Sequence, residues 1–383
     1  MRTGLCHKYP EPMRRKFLTA ALVITCLSLA SCSSSESAPD TTGVSQPGDN
    51  ISDGNVSDPT ENDQASKDAT EACTAGSEIK GRAPRIVTTV APITNLVGLV
   101  AGNAGPIVKG IVPEGTNSHT YEPPPSAAAT LEQADIIFVN GLALEDPTLD
   151  MAKSNAPNAV ICEIGTAALP KSGWIYDFSF PESAGKPNPH LWTNPTSVLA
   201  YLSIIRNVLV VADPTHMNQY DENYVAVSGV AMALDTAMKT ATETIPVNDR
   251  SLLTYHDAYA YFARHFGYEV IGAIQPQSFE EPSPSDIAAL IDQVKSKKVK
   301  AVFGSEVFPS PVLEQIGKET GVRYVDVLRD DDLPGAPGET EHSWAGLMKF
   351  DYITIVEALG GDASALKTVN VKVSATDKAN YPQ

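Results

Sequence analysis

Short apolar runs alternating with helix-period stretches divide the chain into two similar blocks, one on each side of a single long amphipathic segment. In the first block the runs 85–90, 107–112, 135–139 and 159–164 have the length of buried strands, and 93–101, 126–133 and 142–153 carry helical spacing between them. A loop rich in Pro, Gly and aromatic residues, 171–189, then leads into an apolar helical run at 197–211. The second block repeats the alternation, with strands at 251–255, 269–274, 299–303 and 324–328 and helices at 258–266, 285–297, 310–320 and 343–359. Strands and helices taking turns at this spacing predict a parallel, doubly wound sheet in each block.

Between the blocks, Asp213 and Pro214 form a helix start, an N-cap followed by proline in the first turn. Met217, Tyr220, Tyr224, Val227, Ala231, Leu234, Met238 and Ala241 then recur every three or four positions. That spacing describes one helix of roughly 28 residues, about 42 Å long at 1.5 Å per residue. No proline interrupts it and Gly229 is a mild weak point, so it is expected to act as a rigid spine between two α/β lobes facing each other across a cleft. The predicted layout is an amino-terminal lobe over 84–212, a linking helix over 213–245 and a carboxy-terminal lobe over 246–383.

The amino terminus changes the picture of where the protein works. Arg14, Arg15 and Lys16 precede an apolar stretch, 17–30, that is too short to span a bilayer, so residues 1–32 read as a signal peptide. The run 'LASC' at 29–32 matches the bacterial lipobox and makes Cys32 the lipidated first residue of the mature protein, anchored outside the cytoplasmic membrane. A plain secretory signal cleaved near Ala30 is the alternative, and Met13 competes with Met1 as the start. Residues 33–83 are mostly Ser, Asp, Gly, Thr and Glu; they cannot bury enough surface to offset their ordering entropy and are expected to be a disordered tether. Much of the net charge of -18 sits on that tether, and so strong an acidity argues against nucleic acid as a partner. Of the five cysteines, Cys6 and Cys26 leave with the signal and Cys32 takes lipid, which leaves Cys73 and Cys162 as a candidate disulfide in an oxidising compartment.

Candidate chemistry gathers at strand ends. His119 lies on a strand-to-helix loop whose exit is stiffened by Pro123, Pro124 and Pro125, at the edge of an open α/β sheet where ligands bind. His190 sits on the loop between Pro189 and Pro195, His256 ends the strand 251–255, and Asp330, Asp331 and Asp332 follow the strand 324–328. Each residue alone is a weak signal, but three imidazoles and one carboxylate in equivalent places form a ligand set suited to a d-block dication such as zinc. His216 and His265 are expected at the surface, His342 near a helix cap, and Trp192 and Tyr121 in packing roles. No His-Glu-x-x-His run, Gly-x-Ser-x-Gly elbow or phosphate loop is present.

The segments 'HTYEPPPS' (119–126), 'ADIIFVNGLALE' (134–145), 'NPHLWTNP' (188–195), 'YHDAYAYFARHFG' (255–267), 'EEPSPSDIAALI' (280–291) and 'VFGSE' (302–306) resemble signatures of the zinc- and manganese-binding ABC-transporter solute-binding lipoproteins, over about 84–359. The resemblance implies two Rossmann-like lobes joined by one long rigid helix. It also implies one Zn(II) or Mn(II) ion bound in the interlobe cleft and delivered to an ABC permease in the membrane; a monomer is expected. His119, His190 and His256 match three ligand positions of that family. Setting Leu333 against the apolar residue that follows the fourth ligand selects Asp331, with Asp330 as the alternative. The chain departs from the pattern at Asn188 and Asn194, where aspartates are expected, and carries no His-rich loop. Zinc is favoured over manganese because manganese-type relatives tend to place a carboxylate where His256 stands, and imidazole suits zinc better. Two other functions compete. A zinc hydrolase would keep an open coordination position beside a general base, and the chain offers four ligands and no evident base, so no enzyme is expected. A surface adhesin, as some relatives are described, is the other.

Overall fold

The structure, a computed structural model, describes residues 72–73, 76–275, 282–305 and 310–382. The signal peptide, Cys32 and all but the end of the tether lie outside the described residues.

In the amino-terminal lobe, β1 (Arg85–Thr88), β2 (Ile107–Gly110), β3 (Ile136–Val139) and β4 (Val160–Glu163) form one parallel sheet in the order β2-β1-β3-β4. β3 reads IIFV and is buried along its whole length, as a central parallel strand between helical layers must be. Helix α1 (Ala91–Ala101) is buried on every side, while α2 (Pro125–Glu132) and α3 (Asp146–Asn155) bury one face each. The third helix starts four residues later than its hydrophobic pattern suggests. Leu142 and Ala143 have φ of 54° and 61°, and the buried Glu145 carboxylate gathers the N–H groups of Asn140 (2.7 Å) and Gly141 (3.2 Å) into a turn. The short α4 (Ile164–Ala168) takes over where the fourth strand was expected to continue, and α5 (Pro195–Ala212) closes the lobe. α5 is long and apolar enough to cross a membrane, but Val198, Leu202, Ile205 and Leu209 are wholly buried in the lobe.

The spine consists of a 3-10 turn at Pro214–His216 followed by α6 (Met217–Glu243), 27 residues that continue through Gly229. Asp213 does not cap it. Its carboxylate accepts instead from His216 Nδ1 (2.7 Å) and Tyr220 OH (2.9 Å). Of the predicted stripe, Tyr220, Val227, Ala231, Leu234, Met238 and Ala241 are buried, Tyr224 is half-buried and Met217, in the first turn, is exposed. Asn223 Nδ2 donates to Val100 O of the first lobe, and Thr242 Oγ1 lies 3.1 Å from Tyr268 OH of the second. One helix therefore serves both cores.

The carboxy-terminal lobe repeats the plan. β5 (Ser251–Thr254), β6 (Glu269–Ala273), β7 (Ala301–Ser305) and β8 (Arg323–Leu328) form a parallel sheet in the order β6-β5-β7-β8. The helices α7 (Ala260–Phe266), α8 (Pro284–Lys297), α9 (Pro311–Thr320) and α10 (Trp344–Ala358) connect and cover it. Ser283, Ser310 and Ser343 cap α8, α9 and α10, supplying acceptors to N–H groups that the helices cannot satisfy.

The chain does not end in that lobe. After α11 (Ser364–Lys367), Lys349 Nζ holds the carbonyls of Lys367 (3.0 Å) and Val369 (2.7 Å), and the tail crosses back to the first lobe. There Asn380 pairs with the β2 edge through Asn380 N to Val108 O and Gly110 N to Asn380 O, both 2.9 Å. Asp377 accepts from Asn95 Nδ2 at 2.8 Å and lies so close over Gly98 that a side chain at that position would collide with it. At the opposite edge Cys73 pairs antiparallel with Cys162 of β4, and the two are disulfide-bonded with Cα atoms 4.2 Å apart. Both edges of the first sheet are thus covered, which blunts their capacity to recruit another strand.

The disulfide closes a loop spanning 89 residues, so its loss should act mainly on the unfolded chain. Replacing Cys73 and Cys162 together by serine should lower unfolding free energy by about 2–4 kcal/mol. Urea titration of the oxidised wild type beside the double variant measures this, and metal affinity should not change.

Candidate metal centre

The candidate ligands meet in the seam between the lobes. His119, His256 and the three aspartates follow the carboxyl ends of β2, β5 and β8, whereas His190, expected at a strand end, comes after α4 and a long loop and starts the 3-10 turn Leu191–Thr193 just before α5. His119 lies beyond β2, held by Asn117 Oδ1 on its backbone N–H (3.0 Å), while Tyr121 OH donates to Ile111 O (2.9 Å) and ties the loop to the strand end. His190 follows Pro189, whose carbonyl accepts from Asn140 Nδ2 (3.0 Å), so the turn built around Glu145 also fixes this histidine. His256 follows β5, and Thr254 Oγ1 donates to its carbonyl at 2.7 Å.

These segments bring the three Nε2 atoms together at 3.2 Å (His119–His190), 3.1 Å (His119–His256) and 2.9 Å (His190–His256). Nitrogens sharing one tetrahedral zinc, at about 2.0–2.1 Å each, would stand roughly 3.3 Å apart. The Nδ1 atoms point away: that of His190 lies 2.8 Å from Asn188 Oδ1 and that of His256 lies 2.9 Å from Gln275 Oε1. His190 and His256 are buried and His119 keeps a partly exposed edge, with the Phe180 ring centred 5.5 Å from the His119 ring.

Among the three aspartates after β8, the one beside the imidazoles is Asp330, whose Oδ2 lies 3.7 Å from His256 Nε2. Its main chain is fixed from the other lobe, because buried Trp192 donates its indole N–H to Asp330 O at 2.8 Å. Asp331, the first choice from the sequence, is engaged elsewhere and accepts the Ser118 hydroxyl across the seam. Asp332 accepts the Gly115 N–H at 2.8 Å. The packed loop thus turns Asp330, the alternative from the sequence, toward the imidazoles and Asp331 toward Ser118.

Among the described residues, the remaining histidines stay outside the cluster. His216 bonds Asp213, His265 Nε2 lies 2.5 Å from Asp235 Oδ1 and is only partly exposed, and His342 is buried against the Tyr381 ring. Asn194, which departs from the resembled pattern, caps α5 through Thr196 N at 3.0 Å. Single-residue reasoning passed over Asp177, Glu145 and Gln275; for Asp257, its place directly after His256 was the available signal.

The seam is rich in carboxyl groups held above their usual range. Burial, and then Asp330, raise Asp331 strongly, and burial takes Asp332 to about 6. Burial and the neighbouring Asp257 take Asp177 to about 8, and burial takes Glu145 to about 7. The imidazoles shift the other way. Burial first and the adjacent histidines second push His119 and His190 well below the ordinary histidine value, leaving them neutral and able to donate lone pairs. More interlobe bonds close the seam: Trp344 Nε1 to Trp192 O (2.9 Å), Tyr352 OH to Thr193 O (2.7 Å) and Thr193 Oγ1 to Ala258 O (3.2 Å).

Neutral imidazoles, raised carboxyls and a cleft closed by both lobes define a solute-binding protein for a metal ion. Residues 86–358 match the family described as zinc-uptake complex component A, periplasmic. The chain belongs to this family of metal-binding periplasmic components of ABC transporters, which work with a membrane permease and are not enzymes. It is 29% identical over 279 residues to the iron-binding protein YfeA of Yersinia pestis, covering 72% of this chain and 86% of that one. It is 28% identical over 286 residues to the manganese-binding lipoprotein MntA of Halalkalibacterium halodurans, covering 74% and 91%. Its fold is similar to that of the periplasmic zinc binding protein TroA from Treponema pallidum, with a TM-score of 0.66 at 24% identity over 73% of this chain and 99% of that one.

The lowered histidines fix the sign of the pH dependence. A proton competes with metal only where the metal-free ligand is protonated, so a depressed value moves the loss of affinity to lower pH. Zinc affinity should therefore stay nearly constant from about pH 7.5 down through the ordinary histidine value of about 6.5, and fall steeply only well below it. Competition titrations against a chelator of known pH dependence measure this; a fall already under way above pH 7 would mean that the imidazoles are solvated.

Proposed function

We propose that this chain is a membrane-tethered receptor that captures one divalent metal ion, Zn(II) in preference to Mn(II), through His119, His190, His256 and Asp330, and passes it to an ABC permease. The observation that carries this proposal is the convergence of three Nε2 atoms within 3.2 Å of one another, with Asp330 Oδ2 at 3.7 Å from one of them. A dication bound there would offset the cost of burying so many carboxyl groups. Relatives named for iron and manganese and a solved neighbour named for zinc leave the choice of metal to the donor set. Three imidazoles and one carboxylate favour zinc. Lipid on Cys32 and the polar tether would hold the receptor at the membrane as a monomer within reach of its permease.

Zinc outcompetes manganese at most nitrogen-containing sites, so tight zinc binding by purified protein is not decisive. The decisive experiment is the metal content of the receptor isolated from its native membrane, where manganese in excess of zinc would overturn the preference.

Alanine at His119, His190, His256 or Asp330 should each weaken zinc binding by orders of magnitude, as measured by competition with a chelator. His216→Ala and His265→Ala should bind like wild type, because both rings lie outside the cluster. Asp331→Ala should cost far less than Asp330→Ala; the opposite order would restore Asp331 as the fourth ligand.

A further inference from the structure

The side chain of Asn188 makes four contacts at once. Its Oδ1 accepts the backbone N–H of His190 at 3.1 Å and lies 2.8 Å from His190 Nδ1. Its Nδ2 donates to Asp257 O at 2.7 Å and to Asp177 Oδ2 at 3.0 Å. The amide orientation follows from chemistry, since a backbone N–H can only donate and the atom it meets must be the oxygen. The same oxygen therefore faces Nδ1 of His190, which must carry the proton, and the ring's lone pair is left on Nε2, facing His119 and His256. The other half of the amide reaches across the seam to the carbonyl of the residue after His256.

Gln275 mirrors this arrangement from the opposite lobe. Its Oε1 lies 2.9 Å from His256 Nδ1, and its main-chain carbonyl accepts the Ser179 hydroxyl of the first lobe at 2.8 Å. Each lobe thus supplies one residue whose side-chain amide holds its own imidazole and which also bonds the other lobe, Asn188 through that amide and Gln275 through its main-chain carbonyl.

We propose that Asn188 is the positioning residue that couples ligand geometry to lobe closure: one end fixes the His190 tautomer, and the other fixes the distance to the strand end that presents His256. This proposal rests on the ligand assignment above. Side chains behind metal-binding histidines commonly set affinity by roughly 10- to 100-fold. A carboxylate would serve only the first task. It would accept from Nδ1, but it could donate neither to Asp257 O nor to Asp177 Oδ2. When the lobes separate, the Nδ2 bond to Asp257 is lost, so release of the metal follows opening of the seam.

Three variants of the full chain test this. Asn188→Leu keeps the side-chain shape and removes all four contacts; Asn188→Asp keeps the acceptor and removes both donors; His190→Ala controls for the ligand assignment. Histidine ¹⁵N shifts of the metal-free protein should show His190 protonated on Nδ1 in wild type and in Asn188→Asp, and lose that signature in Asn188→Leu. Zinc affinity should drop about 10- to 100-fold in Asn188→Leu. Zinc dissociation into excess chelator should be about tenfold faster in Asn188→Asp with the tautomer unchanged. If His190→Ala abolishes zinc binding while Asn188→Asp releases zinc at the wild-type rate, the positioning role is overturned and the ligand assignment survives. If His190→Ala binds normally, the ligand assignment itself has failed. Should Asn188→Leu not fold, Asn188→Asp carries the test alone, and wild-type His190 protonated on Nε2 would also overturn the proposal.

Discussion

The holding of three imidazole nitrogens about 3 Å apart, in a largely buried seam, is the constraint on which the rest of this structure depends. His119 and His190 belong to one lobe and His256 to the other, so the cluster exists only while the lobes are closed. Closure is secured by polar bonds made by buried aromatic side chains, above all Trp192 to the Asp330 carbonyl and Trp344 to the Trp192 carbonyl. Each of these bonds satisfies a group that would be costly to bury alone, and each fixes main chain beside a candidate ligand.

Rigidity around the site comes from elements that do not touch it. α6 serves both cores without a break, and the tail returns from the second lobe to the β2 edge of the first. The tail lies past residues 86–358, the stretch that matches the family. At the other edge the Cys73–Cys162 bond attaches the end of the acidic tether to β4. A sheet covered at both edges and a helix common to two cores leave the ligand loops as the places where movement costs least.

The electrostatics of the seam suit a cargo better than a resident catalytic group. Carboxyl groups of Asp177, Asp331 and Asp332 are raised by burial, Asp177 also by Asp257 and Asp331 also by Asp330, while His119 and His190 are lowered. All these shifts reduce the charge of an empty, closed seam. A dication reverses that balance, so occupancy and closure support each other.

The periodicity of the chain determined the two α/β lobes, the parallel strands and the linking helix. Those features depend on local apolar spacing, which acts over a few residues and is written in order. The same alternation put His119 and His256 at strand ends, and the prolines around His190 marked it as a loop residue, so the three imidazoles were legible before any contact was known. The carboxylate beside them was not, because Asp330, Asp331 and Asp332 are chemically identical neighbours on one loop. Only the Trp192 bond to one carbonyl and the Ser118 bond to the next carboxylate decide which of them faces the imidazoles. The start of α3 was likewise decided at a distance, by a buried Glu145 that folds apolar residues 142–144 into a turn although their pattern is helical. Asn188 shows the same division: as a letter it is a departure from a pattern, and its role appears only when Asp177 and Asp257, from other segments, surround it. Periodicity encodes what a segment buries, whereas the partners of its polar atoms are set by segments far away in the chain and exist only once the lobes have closed.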